Sequence, residues 1–305
     1  MRKADWIWRD GSFVAWDDAR VHVTTHSLHY GLAAFEGIRC YATDKGGAAI
    51  FRLQEHLKRL YDSAHIAAMQ ITVPLPQVVD ACVELVRKNQ MLDGCYLRPI
   101  VYMGEGELGI AAQNPTHVEV IAWRWGTYLG EEGVKNGIRC KISSFRRPAV
   151  DSMLAKGKIT GNYVSSILAR REANAAGYQE ALLLDPQGYV AEGSGENLFL
   201  VVEGKVRTPP KGAAILHGIT RDTVIQLLGD TGISVEESFI SRDELYCASE
   251  VFLTGTAAEI TPVREIDNRR IASGSPGEVT RLVQKAYAEA VRGQNEKRIG
   301  WLTRV

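Results

Sequence analysis

The sequence predicts an α+β protein of two domains, and three observations carry that expectation. Hairpin signals recur along the chain. Helical periodicity occurs, but without the strict strand–helix alternation that a doubly wound parallel sheet requires. A segment with four glycines and little periodicity, Gly126 to Gly137 (GTYLGEEGVKNG), interrupts the chain. The 305 residues are enough for two modest domains. The predicted division is a smaller domain over 1–125, a loop over 126–137 and a larger domain over 138–305.

The elements follow in order. Trp6-Ile7-Trp8 and Phe13-Val14-Ala15-Trp16 flank Asp10-Gly11, a tight-turn pair, and predict a hairpin. From Leu53 the apolar residues Leu57, Leu60, Tyr61, Ala64 and Ala68 recur at spacings of three and four, which predicts a helix. A second helix is predicted over Gln77 to Gln90, with Val78, Cys82, Leu85 and Val86 inward. Strand-like runs cover Cys95 to Met103, His117 to Trp125 and Ile138 to Ser143. A helix is expected from Tyr163 to about Ala175. Ala181-Leu182-Leu183-Leu184 and Tyr189-Val190 flank the turn Asp185-Pro186-Gln187-Gly188, a second hairpin. Phe199 to Val202 is a strand, and helices are expected from Thr220 and from Gly277 to Arg292.

Lys+Arg and Asp+Glu both total 36, so the net charge of zero gives no electrostatic reason to expect nucleic acid or an anionic membrane as partner. The five cysteines form no Cys-x-x-Cys pair, which fits reduced thiols in the cytoplasm. No apolar run approaches membrane-spanning length, and MRKADWIWRDG lacks the apolar core of a signal peptide. His22, His26 and His29 lie close together without an acidic partner set, so core or surface roles are expected and no metal.

Four segments bear on chemistry. LAKGKITGNY (154–163) holds Lys156 and Lys158 among glycines, and lysines in such company commonly mark a solvated turn. A lysine that forms a Schiff base must be neutral when it attacks, which needs burial or cationic neighbours. An aldehyde cofactor such as pyridoxal phosphate (PLP) also needs an acid at its ring nitrogen, a donor to its phenolic oxygen and a phosphate cradle. AEGSGENLF (191–199) offers two carboxylates in a glycine-rich turn that a flat ring could approach. HGITRDT (217–223) opens an apolar-periodic run, and a helix start there offers orphan N–H groups to an anion, or makes Thr220 a plain N-cap. LTGTAAE (253–259) ends a strand with small and hydroxylated residues. Arg59, off the apolar face of its helix, is either an anion-binding residue or an i,i+4 partner of Glu55.

In this order the pieces resemble the fold-type IV PLP enzymes, and among them the branched-chain amino acid aminotransferases. Eight motifs in register carry the likeness: HSLHYG, FEGIRCY, FRLQEHLKRL, CYLRP, KITGNY, EGSGENLF, GITRD and GTAAEITP. The resemblance implies the D-amino acid aminotransferase-like fold, a small N-terminal α/β domain followed by a larger pseudo-barrel domain. It implies that Lys158, five residues before the tyrosine of GNY, forms the Schiff base with PLP, and that Lys156 is structural or solvent-facing. Tyr163 then bonds the phenolic oxygen, Glu192 pairs with the pyridine nitrogen, and Arg59, Ile219, Thr220 and Thr256 hold the phosphate.

For substrates the resemblance implies an apolar wall of Tyr30, Phe35, Trp125 and Tyr128. The α-carboxylate goes to the backbone around Thr256-Ala257, assisted by Tyr96, and Arg98 accepts the γ-carboxylate of glutamate. Gly37 and Arg39 of the FEGIR motif complete the substrate set. The implied reaction is ping-pong transamination from leucine, isoleucine or valine to 2-oxoglutarate, giving branched 2-oxo acids and glutamate. The implied assembly is a homodimer or a larger homo-oligomer such as a hexamer. The nearest rivals share the fold: a D-amino acid aminotransferase and an aminodeoxychorismate lyase. A non-catalytic anion-binding module is the rival from another class.

Overall fold

A computed structural model describes residues 3–126 and 128–305; the first two residues of MRKADWIWRDG and Thr127 of the glycine-rich segment lie outside the described residues. The chain forms two compact units: one of 1–125, 157–161 and 289–305, the other of 126–156 and 162–288.

The first unit is an antiparallel sheet with three helices. Its elements are β1 (Trp6–Arg9), β2 (Ser12–Ala15), α1 (His26–Tyr30), β3 (Ala33–Phe35), β4 (Ile38–Ala42), β5 (Ala48–Phe51), α2 (Leu53–Ile66), α3 (Leu75–Lys88), β6 (Gly94–Met103) and β7 (Thr116–Trp123). The strand Leu302–Arg304 pairs with β5, giving the order Leu302–Arg304, β5, β4, β6, β7, β1, β2, with β3 also on β6. β1 and β2 meet across Asp10 and Gly11, whose φ values of 45° and 100° suit a two-residue hairpin turn. The expected apolar stripe of α2 is its buried face as far as Ala64, whereas Ala68 lies past the helix end at φ 54° and is exposed. Leu53, Leu57, Leu60 and Ala64 pack with Val78, Cys82, Leu85 and Val86 of α3 against Ile38, Ile50, Leu97, Val101 and Val120 of the sheet. Helix α3 starts and ends two residues before the predicted bounds. Pro74 caps it and a proline occupies its first turn, where a missing N–H is harmless.

The second unit contains α4 (Glu131–Asn136), β8 (Ile138–Arg146), α5 (Tyr163–Ala175), β9 (Glu180–Leu184), β10 (Val190–Gly193), β11 (Asn197–Val202), β12 (Lys205–Thr208), α6 (Ile219–Asp230), β13 (Val235–Glu237), α7 (Arg242–Cys247), β14 (Glu250–Gly255), β15 (Glu259–Ile266), β16 (Arg269–Arg270) and all but the last three residues of α8 (Glu278–Val291). Its sheet runs β10, β9, β8, β15, β14, β11, β12, β13, with β16 on β15. Two features differ from the expectation. The glycine-rich segment contains α4, because Gly130 and Gly137, with φ values of 77° and 84°, flank a short helix rather than preventing one. β8 and β9 pair in parallel with α5 between them in sequence, and β12 and β13 do so with α6 between them, so two βαβ units sit among the hairpins.

The sheet must curl. β10 and β11 are five places apart in its order, about 24 Å across a flat sheet at about 4.8 Å per strand. Only Ser194–Glu196 join them, a reach of at most about 15 Å. The Gly193 N–H also bonds the Glu196 carbonyl at 2.7 Å, which closes the turn further. This curled sheet is the expected pseudo-barrel.

Candidate functional site

Helix α2 carries a second stripe besides its apolar one. His56, Arg59 and Ser63, spaced by three and four, share a face. Glu36, between β3 and β4, is fully buried there. Arg59 grips it with a fork, Nε to Oε1 at 2.6 Å and Nη2 to Oε2 at 3.0 Å. His56 Nδ1 lies 2.7 Å from Oε2, and the Gly37 N–H donates to the same oxygen at 3.1 Å. Burial pushes the Glu36 carboxyl up, but Arg59 and His56 outweigh it and hold it well below the usual carboxylate range. Burial pulls the His56 imidazole down; Glu36 opposes this while Arg59 and Lys158 add to it, so the neutral ring donates through Nδ1–H.

Lys158 is anchored through its backbone. Its N–H donates to Ser63 Oγ at 2.9 Å and its carbonyl accepts from the Phe35 N–H at 3.1 Å. Its Nζ is 4.8 Å from the Phe35 ring centroid. The sequence therefore leads Lys158, Phe35 and Arg59 to one cluster, while Glu36, His56 and Ser63 are members that sequence reasoning missed. Their signal was present as the polar spacing in EHLKRLYDS, and it only has meaning once a partner is known.

The same unit holds most of the expected substrate residues. Along β6, Leu97 and Val101 enter the core, so by alternation Tyr96 and Arg98 face the other way. Tyr96, Trp123 and Trp125 form an aromatic cluster, with centroids 5.0 Å (Tyr96–Trp123), 4.7 Å (Tyr96–Trp125) and 5.8 Å (Trp123–Trp125) apart. The Arg98 guanidinium rests 4.7, 5.5 and 5.8 Å from the Phe35, Tyr96 and Trp123 ring centroids. Its buried Nε has no hydrogen-bond partner. Arg39 lies directly across from Tyr96 on β4, and a Cβ at Gly37 would overlap the Tyr96 hydroxyl, so glycine is required there. Tyr30 ends α1, exposed, with its ring 4.5 Å from that of His26. The neighbouring histidines are used locally: His26 Nε2 meets the Gly109 carbonyl at 2.9 Å and His29 Nε2 the Val23 carbonyl at 2.8 Å. Among the described residues, no group of three or more His, Cys, Asp or Glu could hold a metal ion.

In the second unit Asn197 is the hub, and the sequence reading passed over it. Its Nδ2 donates to Glu192 Oε2 at 3.1 Å and to the Leu216 carbonyl at 2.9 Å. Glu192, buried, also receives the Leu216 N–H at 3.1 Å and has Arg147 Nε 3.0 Å from Oε1. A Cβ at Gly218 would overlap the Asn197 amide oxygen, so only glycine lets the chain pass this close. That passage makes Gly218 the N-cap of α6, which moves Thr220 from the cap into the first turn. The first i→i−4 bond of α6 runs from Asp222 N to the Gly218 carbonyl at 3.0 Å, so the Ile219 and Thr220 amides precede the ladder and suit an anion. The Thr256-Ala257 turn follows β14, and a Cβ at Gly255 would touch Gly195 and Glu196 at 3.4 Å. Thr254, just before it, is buried with no hydrogen-bond partner for its hydroxyl.

Tyr163 starts α5, while Tyr128 lies 5.6 Å from the Arg170 guanidinium of that helix. Lys156 is clamped: its Nζ donates to the carbonyls of Lys211, Ala213 and Ile215 at 2.5, 2.7 and 3.2 Å. Burial lowers its pKa, with Arg221 and Arg147 adding to the effect and Glu192 opposing it.

These donor sets fit PLP. A buried carboxylate held by three donors suits a ring nitrogen that must stay protonated, a helix start suits a phosphate, and a guanidinium gripped by a buried carboxylate is fixed in direction.

The comparisons with known proteins agree. The family model for amino-transferase class IV matches residues 33–266. A branched-chain-amino-acid aminotransferase of Pseudomonas aeruginosa is 47% identical over 300 residues, covering 98% of this chain and 97% of that enzyme. The crystal structure of the Escherichia coli branched-chain amino acid aminotransferase superposes with a TM-score of 0.96 at 44% identity, over 99% of both chains. The T.th. enzyme of the same name, crystallised with pyridoxamine 5'-phosphate, gives 0.95 at 48% identity over 100% of this chain and 99% of that one. Its complex with N-(5'-phosphopyridoxyl)-L-glutamate gives 0.94 at 47% identity, with the same coverage. The chain belongs to the class IV amino-transferases, among the branched-chain-amino-acid aminotransferases.

Proposed function

We propose that Lys158 binds PLP and moves the substrate's α-proton in a branched-chain L-amino acid aminotransferase that passes the amino group of leucine, isoleucine or valine to 2-oxoglutarate. Bound PLP supplies an electron sink for the charge left at the substrate α-carbon. Glu192 holds the proton on the pyridine nitrogen, and its three donors fix its carboxylate in place for that task. Tyr163 donates to the phenolic oxygen. Arg59, the Ile219 and Thr220 amides and Thr256 hold the phosphate. Once its amine is released, Lys158 takes the proton from the α-carbon and returns it at the cofactor carbon.

Substrate selection falls to the aromatic residues. Phe35, Tyr30, Trp125 and Tyr128 exclude water around a branched chain, while Tyr96 and the Thr256-Ala257 backbone hold the α-carboxylate. Gly37 and Arg39 flank Tyr96. Arg98 is the observation that carries dual recognition. Its charge rests on three aromatic faces, so the pocket can serve an aliphatic chain without leaving a bare cation, and a γ-carboxylate can recruit the same guanidinium.

The enzyme works as a dimer or larger homo-oligomer in the cytoplasm. Exposed apolar side chains support assembly: Val23 and Ile110 in the first unit, the latter 95% exposed, and Val164 and Ile167 on α5. The five cysteines are free, as a reducing compartment requires, and no described helix is long and apolar enough to cross a membrane.

A half-reaction spectral titration tests the reading. L-leucine, L-isoleucine, L-valine and L-glutamate should each convert the bound cofactor's absorbance, and D-alanine should not. Lys158→Ala should abolish conversion. Conversion by D-alanine alone would identify a D-amino acid aminotransferase, and conversion by the Lys158 variant would overturn the lysine assignment.

A further inference from the structure

We infer that Glu36, locked by His56, is a positioning residue that fixes the orientation of Arg59 for the phosphate of the cofactor. The inference rests on the reading that Arg59 holds that phosphate.

The geometry is more than a surface ion pair. Glu36 is fully buried, and its two oxygens receive four donors: the Nε and Nη2 of Arg59, the Nδ1 of His56 and the N–H of Gly37. The fork engages one edge of a planar guanidinium and so sets the plane and direction of the opposite edge, which contains Nη1. His56 is on α2 one turn before Arg59, so the helix that presents the arginine also braces its carboxylate. The Glu36 backbone is pinned as well, its N–H donating to the Pro99 carbonyl at 2.8 Å.

Stability is a poor explanation for such a group. A largely buried ion pair gains little over a well-packed apolar pair, because desolvating the charges offsets most of their attraction. Glu36 also works against the charge of Arg59, which would by itself weaken phosphate binding. An arrangement that weakens the field yet fixes the fork makes sense where direction matters more than charge. The two contributions have opposite signs, so removing the carboxylate separates them.

The test compares PLP with pyridoxal, which lacks the phosphate, for binding to the full chain freed of cofactor. The readout is the ratio of the two dissociation constants, measured by fluorescence titration. A general loosening of the fold weakens both ligands, whereas a misdirected Arg59 weakens PLP alone. Glu36→Gln should reduce the preference for PLP by about 10- to 100-fold, the range that partners behind a ligand-holding side chain command. Glu36→Asp should recover part of it. His56→Gln, which leaves the carboxylate and the fork in place, should reduce it less, and it decides the matter if Glu36→Gln does not fold. Arg59→Ala is the reference. If it keeps the wild-type preference, the phosphate reading falls and this inference with it. If Arg59→Ala loses the preference while Glu36→Gln and His56→Gln keep or increase it, the inference alone is overturned.

Discussion

Glu36 in the first unit and Glu192 in the second have matching partner sets: an arginine, one further side chain and a backbone N–H. Arg59, His56 and the Gly37 N–H hold the first; Arg147, Asn197 and the Leu216 N–H hold the second. They differ in which member keeps contact with solvent. The Glu36 side chain is fully buried and its arginine is 14% exposed, whereas Arg147 and Glu192 are buried alike, at 7% and 8%. The lesson is one of direction. On the proposed roles, the carboxylate of the first pair stands behind and the arginine acts, while in the second the arginine stands behind and the carboxylate acts.

The comparison breaks most visibly at Glu192. If that carboxylate holds the ring proton, Glu192→Gln should lower kcat by roughly 100- to 10,000-fold, the usual reach of a positioned acid or base. Cofactor should stay bound, because the phosphate is held elsewhere. Single-turnover spectra with L-leucine check this. Glu36→Gln should do the reverse, shifting cofactor affinity far more than the rate of the loaded enzyme. A rate loss at Glu36 with none at Glu192 would exchange the two roles.

Local pattern made much of the scaffold legible in the sequence. The Asp10-Gly11 hairpin, the apolar stripe of α2 and the β6 strand depend on neighbours within a few residues, and spacing rules see such neighbours. Glu36 and Arg59 are 23 residues apart on different elements, so spacing could offer Arg59 only partners within a turn, such as Glu55. Asn197 reads as one more polar residue of a turn until the chain at Gly218 is brought against it. The same close approach explains why Thr220 does not cap α6. The fold type and the roles proposed for Lys158 and Glu192 came from the resemblance of eight motifs in register, because composition and local chemistry do not distinguish Lys156 from Lys158.

Those two lysines give the next effect in size. Lys156 lies in the second unit, as Glu192 does, and ties down the 211–215 segment just before Leu216, which bonds Glu192. Lys156→Met keeps the length of the stem and removes the three bonds. It should lower unfolding free energy by about 1–3 kcal/mol, since buried carbonyls lose their donor. Turnover at saturating cofactor should survive, in contrast to Lys158→Ala. Urea denaturation beside a leucine assay separates the two outcomes. Loss of turnover in a folded Lys156→Met protein would mean that the clamp supports catalysis directly.

The smallest effect concerns protons and belongs to the first unit. His56 is held neutral by burial, with Arg59 and Lys158 adding to the effect against Glu36, so its folded pKa lies below its unfolded value. The folded state therefore binds fewer protons there. The stability this contributes is present above about pH 6.5, the unfolded histidine value, and declines as pH falls below it. Glu36 follows the same sign one step lower: its contribution is present above about pH 4.3 and is lost as pH falls towards its depressed folded pKa. Wild-type stability should thus decline on acidification in two windows. His56→Gln should flatten the upper window and Glu36→Gln the lower, as read from urea midpoints across a pH series. An unchanged upper slope in His56→Gln would mean that the imidazole is charged in the folded protein. Glu36 would then be braced by two cations rather than by one cation and a neutral donor.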